Sequence, residues 1–478
     1  MKTSAPLDVV VVGSGPNGLT AALRIARAGK RVLVIEGAPS IGGGTRTEEL
    51  TVPGFRHDVC SASHPFGAAS PAFQALGLEA LGVEWIQPDV MAAHPLDDGE
   101  GAALFSSIDS TARTLGHDGD SYRRHLGPLV ERWPQFAPLT QGPLITVPRH
   151  PIAAARSGLP GLVPAERLAR RWFRTDAAQA LFAGCAAHSY LPLNRPLTSA
   201  MAMTFLTVAH TSGWPIARGG SQAIADALAA GIVDAGGEIV TNTWVNSVQD
   251  IPEATVVMFD TSARLTAEIL GSELPTRRSR RLRQFVQAPG AWKIDYALSE
   301  QVPFTDAHAR RAGTVHLGGT LEEIGDAEAA ITAGLMPDAP FVLVCQQSLS
   351  DDSRAPGDRH TAWVYGHVPN GYSGDATSAI EAQIERFAPG FSQTVIAKHV
   401  RDPATMAADN PNNAGGDITG GALGGWQLVR RPFLSANPYR LSRRGWYLCS
   451  SSTPPGPGVH GMCGWHAAGA ALRRELAD

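Results

Sequence analysis

The sequence predicts an α/β protein, in which a domain of parallel strands and helices carries a second, α+β domain. Three observations support this fold class. A β-branched run, a helical stretch and a second β-branched run follow one another over residues 8–36. Segments with period-two alternation, typical of half-buried strands, recur between residues 292 and 367. A chain of 478 residues is too long for one hydrophobic core and therefore indicates more than one domain.

The first strand is followed directly by the pattern G-x-G-x-x-G. Gly13 permits a tight turn, Gly15 lets the backbone approach a ligand, and Gly18 lets the helix pack close to the sheet. The helix N-terminus then offers unpaired N–H groups to phosphates. Glu36 ends the second strand, close to the usual spacing of about 20 residues, where it can accept hydrogen bonds from a ribose. A turn without a ligand would not explain this acid, so the pattern predicts a dinucleotide site.

Composition narrows the class of protein. A formal net charge of −4 argues against a general nucleic-acid binder. The five cysteines are scattered without a close pair, which fits a reducing compartment and argues against a dithiol reductase. We find no signal peptide and no apolar run of about 18 residues, so we expect a cytoplasmic protein. The basic stretch 167–174 is either a solvated helix face or a surface that rests on a membrane.

The pattern along the chain assigns its segments to two domains. A helix is predicted after Gly219-Gly220, and a last helix from about Val459 to the C-terminus. Strands are predicted over 238–248 and 254–259. We therefore place residues 1–98, 213–290 and 405–478 in the dinucleotide-binding domain. Residues 99–212 and 291–404 would form the second domain, with a mixed or antiparallel sheet and helices.

Several motifs spread over the chain point to one family. Besides the N-terminal fingerprint they are the loop 42–46, Pro53-Gly54-Phe55 with Asp58, Gly219-Gly220, 387–391, 415–417 and the C-terminal run 446–468. Together they resemble the flavin-dependent amine oxidase and phytoene desaturase superfamily, and most of all its phytoene-dehydrogenase-like branch. The resemblance covers nearly the whole chain. It implies a glutathione-reductase-like fold with FAD as the cofactor.

The resemblance also implies which residues hold FAD. They are Gly13, Ser14, Gly15, Pro16, Asn17, Gly18, Glu36, Gly43, Arg46, Val245, Gly458 and Val459. The glycine loop would hold the pyrophosphate, Glu36 the adenosine ribose, and Arg46 the phosphate or ribityl region. Val245 would present its backbone to the adenine. Gly458 and Val459 would lie beside the flavin ring, where a helix N-terminus favours the anionic reduced flavin.

The chain departs from the family pattern before its last helix. Pro454 stands where the branch usually has a histidine, and Pro457 where it usually has a glycine. Both prolines stiffen the loop and remove a donor or a side chain near the ring. A protein that binds FAD but acts as a regulator through partner contacts is therefore an alternative to an enzyme.

Three residues are our candidates for catalysis. Lys293 lies on a segment that resembles the strand bearing an N5-facing lysine in amine oxidases; the alternative is a surface lysine at a strand end. His57, or its neighbour His64, could act as an acid or base, although a hydrogen-bonded loop histidine is the commoner outcome. His460 lies on the predicted last helix, near the predicted flavin position. No spacing in the sequence suggests a metal site, a Ser-His-Asp triad or a P-loop.

The expected reaction is removal of two hydrogens from an organic substrate by hydride transfer to flavin N5. The substrate would be isoprenoid, carotenoid-like or otherwise apolar, and the alternative is oxidation of an amine. An aromatic pair facing the flavin would favour the amine, and a long apolar tunnel the lipid; Trp426 and Tyr439 could wall such a cavity. With a single dinucleotide fingerprint, electrons would pass to O₂, a quinone or a partner protein. A homodimer is compatible with the sequence.

Overall fold

The structure is a computed structural model, and it describes residues 7–99, 101–143 and 158–477. Its strands, in chain order, are β1 Leu7–Val12, β2 Val32–Ile35, β3 Thr47–Glu48, β4 His57–Asp58, β5 Trp85–Ile86, β6 Val90–His94, β7 Ala102–Leu104, β8 Ile216–Ala217, β9 Glu238–Val240, β10 Ala254–Phe259, β11 Gly290–Leu298, β12 Ala312–Leu317, β13 Val342–Cys345, β14 His360–Val368, β15 Val395–Arg401 and β16 Trp446–Leu448.

The helices surround two main sheets. They are Pro16–Ala26, Pro65–Ala68, Pro71–Leu76, Ile108–Thr114, Gly119–Glu131, Trp133–Thr140, Ala165–Trp172, Asp176–Ala187, Thr198–Ser212, Gln222–Asp234, Ala263–Leu270, Thr276–Arg283, Leu321–Thr332, Thr377–Phe387, Phe391–Thr394, Pro403–Asp409, Gly425–Arg430 and Met462–Leu472. Within the described ranges, no helix combines the length and the apolar character that a membrane crossing requires.

The first sheet has five parallel strands in the order β16-β10-β1-β2-β9. Strand β1 is central, and its valines are buried on both faces, as in parallel sheets that helices cover on either side. The last helix packs closely on helix Pro16–Ala26. A Cβ at Gly464 would lie only 1.8 Å from the carbonyl oxygen of Asn17, so this contact requires glycine. The α/β fold class and the Rossmann unit are confirmed.

The second sheet has seven strands in the order β15-β11-β14-β13-β12-β6-β7. Its neighbours are antiparallel except β12 and β6. The predicted strands around Trp292–Leu298 and Thr361–His367 pair along their whole length, with Trp292 opposite Gly366. Helices Asp176–Ala187 and Thr198–Ser212 belong to a buried helical layer beside this sheet. The α+β character of the second domain is thereby confirmed.

Two segments differ from the prediction. Strand β6 joins the second sheet, so that sheet begins before the predicted boundary at residue 98. The strand predicted over 238–248 ends at Val240, because the chain turns through the left-handed region at Asn242 (φ 54°). Thr243 N–H then donates to the carbonyl oxygen of Glu36. The turn carries the following residues to the end of β2 instead of along the sheet.

The basic stretch 167–174 overlaps helix Ala165–Trp172. Its Arg170 forms ion pairs with Glu166 and Glu322, and half of the Arg170 side chain is exposed. These contacts are those of a solvated helix face. Contact of this surface with a membrane stays a prediction.

Candidate functional site

A cavity of about 380 Å³ opens at the carboxyl ends of the parallel strands. Its walls include Gly13 after β1, Glu36 after β2 and Asp260 after β10, and also Trp363 and Tyr365 from the second sheet. Ligands of open α/β sheets bind at this edge, because loops and helix N-termini converge there. The cavity therefore has one end on the glycine loop and another on the face of the second sheet.

Three glycines of the loop have no room for a side chain. An added Cβ would meet either Asp260 or the loop itself. A Cβ at Gly13 would lie 2.8 Å from the carbonyl oxygen of Asp260, and a Cβ at Gly15 would lie 2.6 Å from its carboxylate Oδ2. A Cβ at Gly18 would meet the carbonyl oxygen of Gly13 at 2.4 Å. Gly18 does not line the cavity, so its role is to let the helix approach the strand.

Glu36 faces the glycine loop, and its contact with a ribose stays a prediction. Its Oε2 accepts hydrogen bonds from the Ser14 backbone N–H (2.9 Å) and the Ser14 hydroxyl (2.5 Å), and its Oε1 accepts one from Ala38 N–H (2.8 Å). The side chain of Asn17 is buried against the cavity, and its Oδ1 has no hydrogen-bond partner among the described residues. A glycine loop at a helix N-terminus, an unpaired buried amide oxygen and an acid at the end of the second strand fit a dinucleotide.

The other predicted cofactor residues also line the cavity. Gly43 approaches the glycine loop so closely that a Cβ there would lie 3.1 Å from the Gly15 Cα. Arg46 donates from Nε to the carbonyl oxygen of Gly43 (3.2 Å). The remaining members of the set on the wall are Pro16, Val245, Gly458 and Val459. The structure thus brings the N-terminal and C-terminal motifs to one site, and the residues fit FAD.

The end of the cavity on the second sheet is aromatic. Tyr190 and Tyr365 lie parallel with ring centroids 6.5 Å apart, and Trp363 stands edge-on to Tyr365 at 5.2 Å. Tyr190 holds a left-handed backbone (φ 56°), which is strained for a bulky residue, and its ring lies 3.9 Å from that of His367. Other apolar side chains on this part of the wall are Phe66, Met201, Phe205, Trp214 and Leu343.

Sequence reasoning missed this aromatic group and Asp260. Trp363 and Tyr365 are two residues apart on a strand that was predicted, so period two places them on one face. Asp260 directly follows a β-branched strand, as Glu36 does, and this was a usable signal. Tyr190 carries no comparable signal, since it reaches the wall only through tertiary packing.

Two histidines line the cavity, His64 and His188. Burial lowers the pKa of His64 to about 4 and that of His188 to about 3. His64 Nε2 lies 3.0 Å from the Ser221 hydroxyl, and His188 Nε2 lies 3.2 Å from Nε2 of His316. Both imidazoles are therefore neutral at pH 7 and act as hydrogen-bonding groups, not as cations.

Lys293 and His57 are buried close to the cavity but do not line it. Lys293 is only 2% exposed, forms an ion pair with Asp295 and lies 5.3 Å from the ring centroid of Trp363. The alternative of a surface lysine is therefore wrong. Burial lowers the pKa of Lys293 to about 8, although Asp295 opposes this shift. His57 Nδ1 lies 3.8 Å from Asp295, Thr51 bonds its Nε2, and burial lowers its pKa to about 4.

His460 also stays off the wall of the cavity. Its Nδ1 accepts a hydrogen bond from Met462 N–H at the start of the last helix, and its carbonyl oxygen accepts one from Ser70. Trp426 is 72% exposed, and the Tyr439 hydroxyl donates to the carbonyl oxygen of Pro454, so neither walls the cavity. The catalytic roles proposed for Lys293, His57 and His460 stay predictions.

The comparisons with known proteins agree with this site. A model of the NAD(P)-binding Rossmann-like domain matches residues 11–76. Pyridine nucleotide-disulfide oxidoreductase domain-containing protein 2 of Rattus norvegicus is 25% identical, over 96% of this chain and 92% of its own length. Hydroxyneurosporene desaturase of Rhodobacter capsulatus is 26% identical, over 98% of both chains.

The architecture is also shared with a solved structure. Cyclohexylamine oxidase from Brevibacterium oxydans superposes with a TM-score of 0.61 at 15% identity, over 99% of this chain and 100% of its own. At this identity the likeness shows the fold. Together with the full-length relatives and the fit of the cavity, it shows an FAD-dependent oxidoreductase. The full-length relatives support the FAD-dependent amine oxidase and phytoene desaturase superfamily, which the motifs predicted.

Proposed function

We propose that the protein removes two hydrogens from an apolar, isoprenoid- or carotenoid-like substrate by transfer of a hydride to its flavin. The observation that supports this most is the lining of the cavity on the second sheet, which is aromatic and aliphatic. A cavity of this kind binds a ligand by excluding water from apolar surface.

The distribution of charge supports the same substrate class. The acids Glu36 and Asp260 and the cation Arg46 lie at the dinucleotide end, and the further acid on the wall, Asp409, pairs with Arg401 (3.6 Å). On the described part of the wall beside Tyr190 and Tyr365, the histidine is His188, and its imidazole is neutral. An ammonium group bound there would be desolvated without a carboxylate partner, which is unfavourable. An uncharged substrate meets no such cost.

When bound, FAD supplies the hydride acceptor. The protein's own residues would orient the substrate and keep water away. Phe66 meets Phe205 edge-on at 4.7 Å, and Phe205 lies 5.1 Å from Trp214, so these rings form a continuous surface. The indole N–H of Trp214 donates to the Ser63 hydroxyl (3.2 Å) and holds the ring in position. A substrate held against this surface would react without competition from solvent.

Oxidation of an amine is the second candidate. The observation that favours it is the pair Tyr190 and Tyr365, whose rings are parallel with centroids 6.5 Å apart on the cavity wall. Such a pair could flank a neutral amine next to a flavin. The cyclohexylamine oxidase shares the fold, but at 15% identity it carries no argument about the substrate.

Anaerobic flavin reduction distinguishes the two candidates. The purified protein is mixed without oxygen with cyclic and acyclic terpenes or carotenoids in detergent, and separately with primary amines. We expect loss of the oxidised-flavin absorbance with the apolar set, and identification of a product with one more double bond. Bleaching by amines alone would overturn the proposal in favour of the second candidate. Bleaching by neither set would favour the regulatory alternative.

The electron acceptor is tested on the same sample. After reduction, the flavin is mixed with air-saturated buffer, with a soluble quinone, or with both. We propose O₂, a quinone or a partner protein as acceptor, since only one dinucleotide fingerprint is present in the sequence. Fast reoxidation by NADP⁺ would contradict this proposal.

A further inference from the structure

Asp260 occupies the centre of the dinucleotide end. It directly follows β10, and its backbone N–H donates to the carbonyl oxygen of Val12 (2.8 Å), which fixes it beside β1. Its carboxyl Oδ2 accepts the N–H of Gly18 (2.8 Å) in the first turn of helix Pro16–Ala26. The same oxygen is the atom that a Cβ at Gly15 would meet. Asp260 therefore caps the helix N-terminus from outside the helix and still faces the cavity.

A second observation shows that this end is built for a ligand. Asn17, which lines the same cavity and is 5% exposed, keeps a buried amide oxygen without a partner among the described residues. The position of Asp260, however, is unusual for a phosphate site. An ionised carboxylate beside a diphosphate would repel it, and Glu36 already adds one negative charge. The cation on this part of the described wall is Arg46, which also pairs with Glu48 (3.4 Å).

We propose that Asp260 is a further cofactor-binding residue, which keeps its proton and donates it from Oδ1 to a diphosphate oxygen of FAD while Oδ2 accepts the Gly18 N–H. A neutral carboxyl group has one O–H donor and still accepts hydrogen bonds, so it can meet a phosphate oxygen and the backbone N–H groups of the loop together. It also removes a negative charge from a site that must hold the charged diphosphate. The inference concerns binding of FAD and does not depend on which substrate is oxidised.

The surroundings of Asp260 favour the neutral form. Burial raises the pKa of Asp260 to about 7; the Gly18 and Gly15 N–H groups oppose this shift, and the negative charge of Glu36 adds to it. The other titratable groups that face it are the thiols of Cys449 and Cys463, whose pKa values burial raises, that of Cys463 to about 11. Both thiols are neutral near pH 7. A bound diphosphate would raise the pKa of Asp260 further.

The sign of the pH dependence follows from linkage. Between the pKa of the free protein, about 7, and the higher pKa of the complex, the complex holds a proton that the free protein has lost. FAD affinity should therefore be constant below about pH 6 and fall as the pH rises above 7. The steepest slope for one such group is about tenfold per pH unit. The proton is taken up from solvent as FAD binds.

Calorimetric titration of the full-length apoprotein with FAD tests this directly. The binding enthalpy is measured at pH 6 and pH 8, each in two buffers of different ionisation enthalpy. For each FAD that binds, we expect the protein to take up close to zero protons at pH 6 and nearly one proton at pH 8. No uptake at pH 8, or release of protons, would overturn the proposal. This readout needs no variant and does not depend on turnover.

Two variants assign the proton to Asp260. Asp260→Asn keeps one acceptor and one donor, so we expect it to bind FAD with an affinity near that of the wild type at pH 6 but without the decline above pH 7. Glu36→Gln is the matched control, and we expect it to weaken binding at every pH while the decline remains. Lys293, with a pKa of about 8, is intact in both variants. A decline that persists in Asp260→Asn would overturn the assignment to Asp260.

Discussion

The two ends of the cavity are built on different principles. At the dinucleotide end, single atoms meet single atoms: Glu36 Oε2 accepts two hydrogen bonds from Ser14, and Asp260 Oδ2 accepts one from Gly18. At the other end, the wall consists mainly of aromatic and aliphatic side chains, among them the parallel rings of Tyr190 and Tyr365. The first end specifies one cofactor, whereas the second specifies only the shape and polarity of a substrate.

This difference implies different tolerance to mutation. Directional polar contacts are lost when one atom moves, and an unpaired buried group then carries its full desolvation penalty. Apolar packing instead changes gradually with volume. Substitutions at the dinucleotide end should therefore act on FAD affinity, and substitutions at the aromatic end on substrate turnover at full FAD occupancy.

The largest expected effect comes from Gly15→Ala. The added Cβ would lie 2.6 Å from Asp260 Oδ2, an atom that the hydrogen bond from Gly18 N–H (2.8 Å) holds in place. We expect FAD affinity to fall by about 100-fold or more, equivalent to roughly 3 kcal/mol. The measurement is quenching of FAD fluorescence on binding.

Gly325→Ala is the matched control, because a Cβ at that helical position meets no atom within 4 Å. It should leave FAD affinity unchanged. Wild-type FAD occupancy in Gly15→Ala would contradict the close approach of the loop and Asp260.

Glu36→Ala should have the next largest effect. It removes the acceptor of three hydrogen bonds from Ser14 and Ala38, as well as the predicted ribose contact. We expect FAD binding to weaken by about 1–3 kcal/mol, the usual range for losing a charged hydrogen-bond partner. Equilibrium dialysis with FAD and with FMN checks it. Since FMN lacks the adenosine, weakening that is equal for both would show that Glu36 acts only by holding the loop.

The contrast between the two ends also explains what the sequence could predict. Strand, glycines, helix and acid lie within residues 9–36, so local spacing alone specifies their geometry. The C-terminal contribution of Gly458 and Val459 came from the family resemblance, and the cavity confirms that they lie with the glycine loop. The sequence analysis attributed Gly15 to the close approach of a ligand. In the structure, the first atom that a side chain there would meet belongs to Asp260.

The aromatic end could not be predicted in the same way. Phe66, Tyr190, Trp214 and Tyr365 come from four separate segments, and only the fold brings them together. The period-two pattern around Lys293 correctly predicted a strand. It could not show which face of β11 is buried by the rest of the chain. Lys293 lies opposite Tyr365 and Asp295 opposite Trp363, so both side chains are on the same face as these aromatic rings and are buried beside them.

Tyr365→Leu tests the aromatic end. Loss of the ring opens the wall beside Tyr190 without touching the glycine loop. We expect FAD affinity within about twofold of the wild type, and a decrease of about tenfold in the rate of flavin reduction by a substrate that bleaches the wild type, equivalent to roughly 1.4 kcal/mol. Stopped-flow absorbance gives the rate. Tyr365→Phe is the control, and a rate loss in it equal to that in Tyr365→Leu would assign the effect to the hydroxyl.

The smallest effect on FAD binding is expected from Lys293→Met, because Lys293 does not line the cavity. FAD affinity should stay within about twofold of the wild type. The folded-state pKa of about 8 lies below the ordinary value of about 10.4, so the unfolded chain holds more protons between these pH values. The stability of the wild type relative to Lys293→Met should therefore rise as the pH increases from 8 to 10.4, as measured by urea unfolding.

The same variant tests whether Lys293 contributes to the chemistry at the flavin. Removing Lys293 alone leaves Asp295 buried without its partner, which destabilises the fold, so rates are compared in Lys293→Met/Asp295→Asn as well. If Lys293 stabilises charge at flavin N5 from its position beside Trp363, one of the two half-reactions should slow in both variants at full FAD occupancy. Unchanged rates for reduction and reoxidation would leave Lys293 as half of a buried ion pair that supports the wall, and chemistry would rest with groups that face the cavity.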